Sequence, residues 1–349
     1  MPALDFRMDS ATRSSAFTSL SRDAERNLIA RTRPFAAQDT RRSWWEVGTT
    51  FAALLGAIAL AALPSWWPLR IVGSVVQALA LIRSFILVHD YLHGSLLSGS
   101  RIAKALFHTH AVLLLTPPRV WTESHNHHHA NTARLAASAS GTFTTWTAQQ
   151  WREATALERL AYVVERHPLV MIFAYPLAFL GGLCIVPFVK HPLRYWSAGF
   201  AVLLHVTISA AVFHFGGLGV YLTAMVLPLS LGYALGAYLF FSQHNFPDVA
   251  LREDPDWTHA SAALEASSYL ACGPVMAWFT GNIGYHHVHH LNPRIPFYRL
   301  PEAMAAIPEL QNPRTTTLHP RDVLACLRLN VWDGKRGRMV RFRDVPASR

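Results

Sequence analysis

Two pairs of long apolar segments alternate with polar stretches along the chain. Residues 45–63 and 66–88 are separated only by Pro64 and Ser65, and residues 196–214 and 218–242 are separated by a Gly-Gly step. A helix of about 20 apolar residues crosses the hydrocarbon core of a bilayer, and each segment has roughly this length. We therefore predict an all-α integral membrane protein in which four transmembrane helices form two hairpins.

A further apolar stretch, residues 168–189, would disturb this arrangement if it crossed the membrane. It contains three prolines, and it is followed by Lys190 and Arg194, which favour the cytoplasmic surface. An odd number of crossings would also place the polar residues after the first hairpin and those after the second on opposite sides of the membrane. We therefore predict that this stretch is re-entrant or interfacial. Residues 101–116, which also carry basic side chains, are predicted to lie along the interface.

The distribution of charge supports the same topology. The chain is 51% hydrophobic and only 15% charged, and its formal net charge is +10. Eight arginines fall in residues 1–42 and ten, together with Lys335, fall in residues 291–349. Because such flanks stay in the cytoplasm, we predict cytoplasmic termini, a polar cytosolic tail over residues 1–42 and a membrane domain over residues 43–349. The positive charge is explained by topology, so no nucleic-acid partner is expected.

Ten of the nineteen histidines fall in three short clusters. On a helix, residues three or four positions apart share a face, so each cluster directs two or three imidazoles the same way. The residues predicted to share these faces are His89 and His93 in the first cluster, His125, His128 and His129 in the second, and His286, His289 and His290 in the third. His127 and His287 fall off these faces, and we expect them to have other roles.

Eight imidazoles directed inward exceed the four ligands of a tetrahedral zinc ion and suit two metal ions. Imidazole binds zinc, copper, iron and nickel alike. No cysteine lies in a cluster, and the nearby carboxylates are Asp90 and Glu123. An all-nitrogen site for two metals beside a membrane favours iron that activates oxygen. We therefore predict two non-haem iron ions.

His244 follows the second hairpin as His89 follows the first. One interpretation is an interfacial histidine at a helix end, where a cation is favoured. The other is a ninth ligand, which would make the coordination of the two metals unequal. Metal-bound histidines usually donate their second N–H to a partner. Asp90 and Asn126, each adjacent to a cluster histidine, are candidates for that role, and the alternative is that both are ordinary surface residues.

In this order, the three clusters resemble the histidine boxes of the membrane fatty acid desaturase family. The resemblance covers roughly residues 43–345 and is strongest to the bacterial and plant acyl-lipid branch. The segments that carry it outside the first box are Trp121-Thr-Glu-Ser-His125-Asn, Gln243-His244-Asn-Phe-Pro247, Trp278-Phe-Thr-Gly-Asn-Ile-Gly-Tyr-His286-His-Val-His-His-Leu-Asn-Pro-Arg-Ile-Pro296 and Leu327-Arg-Leu-Asn-Val-Trp332-Asp. It implies a multi-pass protein of a bacterial inner membrane, with its histidine boxes on the cytoplasmic side.

The resemblance also implies a non-haem di-iron enzyme that uses O₂ and two electrons to introduce a double bond into the acyl chain of a fatty acid or membrane lipid. Its nine ligands correspond to His244 and the eight histidines named above. The animal acyl-CoA branch has Asn four residues before the position of His244, where this chain has Phe240. An acyl-CoA substrate is therefore less favoured.

No cytochrome b5 segment is recognisable in the chain, so the expected electron donor is a separate protein, in bacteria a ferredoxin. An acidic ferredoxin would dock on the densest positive charge of the predicted cytosolic face. That cluster consists of Lys335, Arg336, Arg338, Arg341 and Arg343. The alternative is that these residues anchor the C-terminal region to anionic lipid.

Two other functions stay open from the sequence. A hydroxylase of the same superfamily, acting on an alkyl, sterol or carotenoid chain, would use a similar oxidant but return oxygen to carbon. A metal-handling transporter with histidine-rich loops would instead place ionisable residues along a path through its spans. Arg70 and Arg83 are expected near the ends of their span, and the other spans are nearly uncharged, which disfavours the transporter.

Overall fold

Helices make up most of the computed structural model, which describes residues 21–135, 143–253 and 255–345. The α-helices in chain order are α1 (Arg22–Thr32), α2 (Thr40–Ala62), α3 (Trp67–His93), α4 (Arg101–Leu113), α5 (Pro118–Asn131), α6 (Ala148–Glu153), α7 (Ala156–Glu165), α8 (Pro168–Ile172), α9 (Val186–Lys190), α10 (Trp196–Tyr221), α11 (Leu227–Ser242), α12 (His259–Glu265), α13 (Gly273–Phe279), α14 (His286–Leu291), α15 (Leu300–Ala306) and α16 (Pro320–Leu327). Other helical elements are the π-helical stretches Tyr175–Ile185 and Leu222–Val226 and the 3₁₀ turns Arg33–Ala36, Phe297–Arg299, Pro308–Leu310 and Phe342–Asp344. Within the described residues, three continuous helical stretches are long and apolar enough to cross a membrane: Thr40–Ala62, Trp67–His93 and Trp196–Ser242.

Helices α2 and α3 pack closely against each other as the first hairpin. Gly73 of α3 lies directly on the backbone of α2, and a Cβ at this position would come within 2.4 Å of the nitrogen of Ala61. The absence of a side chain is therefore what permits the contact. Helix α3 continues to His93 instead of ending at residue 88, and Gly94 closes it with a left-handed φ of 74°. His89 and His93 consequently lie on one continuous helix.

A buried ion pair connects this hairpin to the region before the third histidine cluster. Nη2 of Arg83 lies 2.5 Å from a carboxylate oxygen of Glu46 on α2, and Nε donates to the Thr50 hydroxyl at 2.9 Å. The guanidinium also donates to the carbonyl of Trp278 and lies 4.0 Å from the centre of its ring. Arg83 is thus buried between these elements. Its charge is tolerated there because a carboxylate and several acceptors surround it.

The 47-residue apolar stretch Trp196–Ser242 is not one straight helix. Gly217 adopts φ 73° and ψ 176°, a backbone conformation that glycine adopts without steric cost, and the chain reverses there. Two residues on opposite sides of this break contact Tyr175. Nε2 of His205, before the break, lies 2.5 Å from the Tyr175 hydroxyl. The ring of Tyr233, after the break, stacks on the Tyr175 ring with their centres 5.7 Å apart. The part of α10 before Gly217 and the residues from Leu218 to the end of α11 therefore form a second hairpin, as the Gly-Gly step predicted.

The apolar segment Pro168–Lys190 begins and ends near the histidine end of both hairpins. Met171 packs in one cluster with Phe241, near the end of α11. Phe188 packs against Gly199, near the start of α10. Because the segment returns to the end at which it started, it has the geometry predicted for a re-entrant or interfacial element.

The remaining elements form a cap over the histidine end. Leu28 of α1 is buried in the cap, and Glu25 accepts a hydrogen bond from the backbone nitrogen of Ala260 at 2.8 Å. The predicted polar tail therefore includes a packed helix; its residues before 21 lie outside the described part of the chain. The cap also contains short strands, which the all-α prediction did not include: β1 (Trp146–Thr147), β2 (Tyr269–Ala271), β3 (Thr315–Thr317), β4 (Val331–Asp333) and β5 (Arg338–Val340). Strand β4 pairs parallel with β1 and antiparallel with β5, and β2 pairs parallel with β3.

Candidate metal centre

Four segments bring nine histidines into the interior of the cap. They are His89 and His93 at the end of α3, His125, His128 and His129 on α5, His244 just after α11, and His286, His289 and His290 on α14. Seven of the nine are buried, while His93 and His244 are half-buried. The eight histidines predicted from helical spacing and the candidate ninth therefore lie together.

The nine side chains divide into two groups, and within each group one nitrogen per residue lies within 4.8 Å of all the others. The five-histidine group is His89, His93, His125, His129 and His289, and the four-histidine group is His128, His244, His286 and His290. Adjacent residues such as His289 and His290 belong to different groups. The groups are neighbours, because the rings of His129 and His290 stack at 4.2 Å. The arrangement thus offers two adjacent and unequal sites.

Hydrogen bonds alone do not explain the four-histidine group. Nδ1 of His244 lies 2.9 Å from the carbonyl oxygen of Ala266. Since a carbonyl only accepts, this nitrogen carries the proton of the neutral ring and Nε2 carries a lone pair. That Nε2 lies 3.1 Å from Nε2 of His128 and 2.9 Å from Nε2 of His286. The single lone pair of His244 Nε2 cannot accept good hydrogen bonds from both of these nitrogens. A cation between the three nitrogens would instead be bound by all of them.

The spacing of the nitrogens also fits a metal ion. Two imidazole nitrogens that each lie about 2.1 Å from an ion, at right angles to each other, are about 3.0 Å apart. In the five-histidine group, Nε2 of His129 lies 3.0 Å from that of His125 and 3.1 Å from that of His289. Burial, reinforced by neighbouring imidazoles, holds the pKa of all three rings well below the ordinary 6.5. The rings are therefore neutral at pH 7 and able to bind a metal.

Asp90 is hydrogen-bonded to His89 and can fix the orientation of its ring. One carboxylate oxygen accepts from Nδ1 of His89 at 3.0 Å, and the other accepts from the backbone nitrogen of Phe297 at 2.7 Å. This contact leaves Nε2 of His89 to face the five-histidine group. Asn126 lies on the exposed side of α5, and its side chain has no hydrogen bond to a cluster histidine among the described residues. We therefore leave Asn126 out of the proposed site.

Three other polar residues singled out in the sequence lie outside both groups. His287 is buried, its Nε2 donates to the carbonyl of Leu310 at 3.1 Å, and burial lowers its pKa to about 4. His127 is half-buried on α5. The carboxylate of Glu123 is exposed and pairs with Arg194 at 2.9 Å. His287 thus joins two parts of the cap, and Glu123 joins α5 to the start of the second hairpin.

An apolar cavity of about 500 Å³ lies against both groups of histidines. His89 of the five-histidine group and His286 of the four-histidine group line it. Gly232 and Phe240 of α11 also line it, and their separation of eight residues corresponds to about 12 Å along a helix. The cavity is therefore long enough to hold several methylene groups of an alkyl chain beside the histidines.

Two residues around the centre were not identified from the sequence. Trp121 lines the cavity and stacks on His125 at 4.2 Å, and its spacing of four residues from His125 on one helix was a usable signal. Arg166 is buried, and its Nη2 donates to the side-chain oxygen of Asn245 at 2.7 Å, next to His244. This contact spans 79 residues, so no local pattern reveals it.

Comparison with known proteins shows the family to which the chain belongs. The family model described as fatty acid desaturase matches residues 64–321. The chain is 31% identical over 327 residues to a fatty acid desaturase of Bacillus subtilis, covering 92% of each chain. It is 24% identical to an sn-1 oleoyl-lipid 12-desaturase of Picosynechococcus sp., covering 76% of each chain, and 22% identical to one of Synechocystis sp., covering 78% and 77%. The chain therefore belongs to the fatty acid desaturase family of oxidoreductases.

Proposed function

We propose that the protein is an O₂-dependent desaturase whose nine histidines hold two non-haem iron ions. Its substrate is the acyl chain of a fatty acid or membrane lipid. The observation that carries the proposal is the division of nine inward-facing histidines into groups of five and four beside one apolar cavity. The names of the cyanobacterial relatives, which refer to oleoyl lipids, support a lipid-borne chain.

The reaction removes one hydrogen from each of two adjacent methylene groups. With O₂, two electrons and two protons, it yields one C=C bond and two water molecules. Bound iron would supply the oxidising chemistry, since protein acids and bases do not break an unactivated C–H bond. The residues of this chain hold the metals in a shell of neutral nitrogens. Ile86, Trp121 and Phe240 line the cavity and would exclude water while the alkyl chain lies beside His89 and His286.

The proposed location is a bacterial inner membrane, with the histidine centre and both termini on the cytoplasmic side. The apolar helices and the family support membrane association. Two hairpins and a segment that returns to its starting end give an even number of crossings. This arrangement keeps all nine histidines on one side, next to the arginine-rich flanks that favour the cytoplasm.

Electrons would reach the centre from a separate donor, which we propose is a ferredoxin. The basic cluster predicted from the sequence lies on and after the β4–β5 turn, and it is partly neutralised. Arg336 lies 3.5 Å from a carboxylate oxygen of Asp333, and Arg341 lies 2.6 Å from one of Asp344. Lys335 and Arg338 are exposed. Those two charges support steering of an acidic partner to this surface.

Gas chromatography of lipids from a bacterial host that lacks unsaturated acyl chains tests the proposed reaction. Expression of the intact chain, with a ferredoxin and its reductase, should produce mono-unsaturated chains under air and none without oxygen. A His286→Ala variant present at the same level in the membrane serves as control. Hydroxylated chains in place of unsaturated ones would replace the proposal with the hydroxylase alternative. No modified chain from iron-loaded protein, either in this host or in the same host supplied with oleate, would refute it.

A further inference from the structure

Arg166, which directly follows α7, is a buried arginine whose described hydrogen bonds end on uncharged oxygens. It is only 2% exposed. Its Nη1 donates to the carbonyl of Thr144, and its Nη2 donates to the side-chain oxygen of Asn245 at 2.7 Å and to the carbonyl of Leu329 at 3.1 Å. A buried charge is stable only where it is hydrogen-bonded, so these acceptors hold the guanidinium in one place. Arg166 therefore connects three segments that are far apart in the sequence.

Asn245 carries this connection to the residue after His244. It is 5% exposed, and its Nδ2 donates to the carbonyl of Cys326 at 2.8 Å and to that of Leu329 at 3.1 Å. Its side-chain amide is thus hydrogen-bonded through both its oxygen and its nitrogen. Because Arg166 and Asn245 also share the Leu329 carbonyl as an acceptor, the two side chains belong to one network.

His244 differs from the other members of the four-histidine group because it lies beyond the end of a helix. Helix α11 ends at Ser242, whereas the other three histidines lie on α5 and α14. On one side of His244, Nε2 of Gln243 donates to the carbonyl of Ile283 at 2.9 Å. On the other side, Asn245 is held by the network described above. The backbone is therefore anchored by a side chain on each side of His244.

We infer that Arg166 is a positioning residue for the four-histidine group, because it fixes the backbone at His244 through Asn245 and so directs the imidazole at the other ligands of this group. This inference rests on the proposed function, which includes the two metal ions. The five-histidine group contains no residue of the segment that follows α11. Loss of the Arg166 contact should therefore affect one of the two sites and spare the other.

Iron binding to the purified, full-length protein, measured by competition with a chelator, tests the inference without requiring turnover. In Arg166→Gln we expect the affinity for one iron to fall about 10–100-fold, as for loss of an outer partner, and the affinity for the other to stay unchanged. Arg159→Gln is the matched control. Arg159 also lies on α7 and donates to two carbonyls, those of Trp151 at 2.8 Å and Arg152 at 2.7 Å, but neither acceptor adjoins a proposed ligand. This variant should bind both irons as the wild type does.

A second set of variants identifies the affected site. His290→Ala removes a proposed ligand of the four-histidine group, so the iron that remains should occupy the five-histidine group. Adding Arg166→Gln to this variant should leave the affinity for the remaining iron unchanged, whereas a general loss of structure would lower it. Arg166→Lys keeps the charge without the planar fork. It should weaken the same single iron by a smaller factor, and it replaces Arg166→Gln if that variant does not fold.

The outcomes separate this inference from the proposed function. One weakened iron in Arg166→Gln, with no effect in Arg159→Gln and no further effect in the His290→Ala background, supports the positioning role. Equal weakening of both irons, weakening of the iron that remains in His290→Ala, or wild-type affinities in Arg166→Gln would overturn it. In these cases the wild type would still bind two irons and form unsaturated chains, so the proposed desaturation would stand. A wild type that binds fewer than two irons would refute the proposed two-metal centre, and this inference with it.

Discussion

Whether a cluster histidine belongs to the proposed metal centre depends on the helix face from which its side chain projects. Replacing any of the nine grouped histidines with Ala should lower product formation more than about 100-fold, because loss of a ligand exceeds the 10–100-fold cost of losing an outer partner. His127→Ala is the matched control for His128→Ala and should retain most activity. Iron content and product formation are measured on membrane-inserted protein. Similar losses in both variants would contradict the assignment by helical face.

His287 requires a different expectation, because it is buried and bonded to the cap. Its Ala variant would lose the contact with the carbonyl of Leu310 and leave that oxygen unpaired. Such a loss costs about 1–3 kcal/mol of stability. Reduced stability with normal iron content in the surviving protein would therefore distinguish His287 from its neighbour His286, which is a proposed ligand.

Asp90 should matter because both of its oxygens accept hydrogen bonds. In Asp90→Asn one oxygen remains to accept a hydrogen bond, and an NH₂ group replaces the other oxygen. That NH₂ group would face a donor, either Nδ1 of His89 or the backbone nitrogen of Phe297, so one of the two hydrogen bonds would be lost. We expect iron affinity to fall about 10–100-fold, measured by competition with a chelator. Glu123→Gln, which changes an exposed carboxylate, is the control and should leave the affinity unchanged. Equal affinities in the two variants would remove Asp90 from the proposed centre.

The contact between α2 and α3 gives a prediction for the first hairpin. Gly73→Ala places a methyl group against the backbone of Ala61, and such overpacking costs about 1–3 kcal/mol. Gly56→Ala, at an exposed position of α2 with open space around it, should be neutral or slightly stabilising, because Ala favours helix. Thermal unfolding in detergent compares the two. A Gly73→Ala protein as stable as the Gly56→Ala protein would contradict the close packing.

The patterns in the sequence captured the long elements better than the short ones. Helical spacing placed the eight cluster histidines, and the Gly-Gly step at 216–217 located the second hairpin. Strands of two or three residues, such as β1 and β4, are too short to show an alternating pattern. The sequence pattern did not predict helix α1, because Leu28 and Ile29 are its only large apolar residues and most of the others are charged or polar. The Arg166–Asn245 contact depends on tertiary folding and has no local trace.

The topology of the whole chain is tested by the accessibility of residue 192. In a variant whose native cysteines are replaced, a cysteine at Pro192 should react with a membrane-impermeant reagent only from the cytoplasmic side. The reason is that Pro168–Lys190 returns to the histidine end. A cysteine at Ser65, in the turn of the first hairpin, is the control and should react only from outside. Labelling of residue 192 from outside would mean that the segment crosses the membrane.

The central claim is that one chain holds two irons in a shell of nine histidines. Metal analysis of the purified, enzymatically competent protein, by mass spectrometry against the protein concentration, tests it most directly. The five-histidine and four-histidine groups predict two iron ions per chain, with little zinc or copper. The Ala variants of His128 and His289 should each fall below that value, while the His127→Ala protein should keep it. Zinc in place of iron, or a single metal ion per chain in active protein, would contradict the claim.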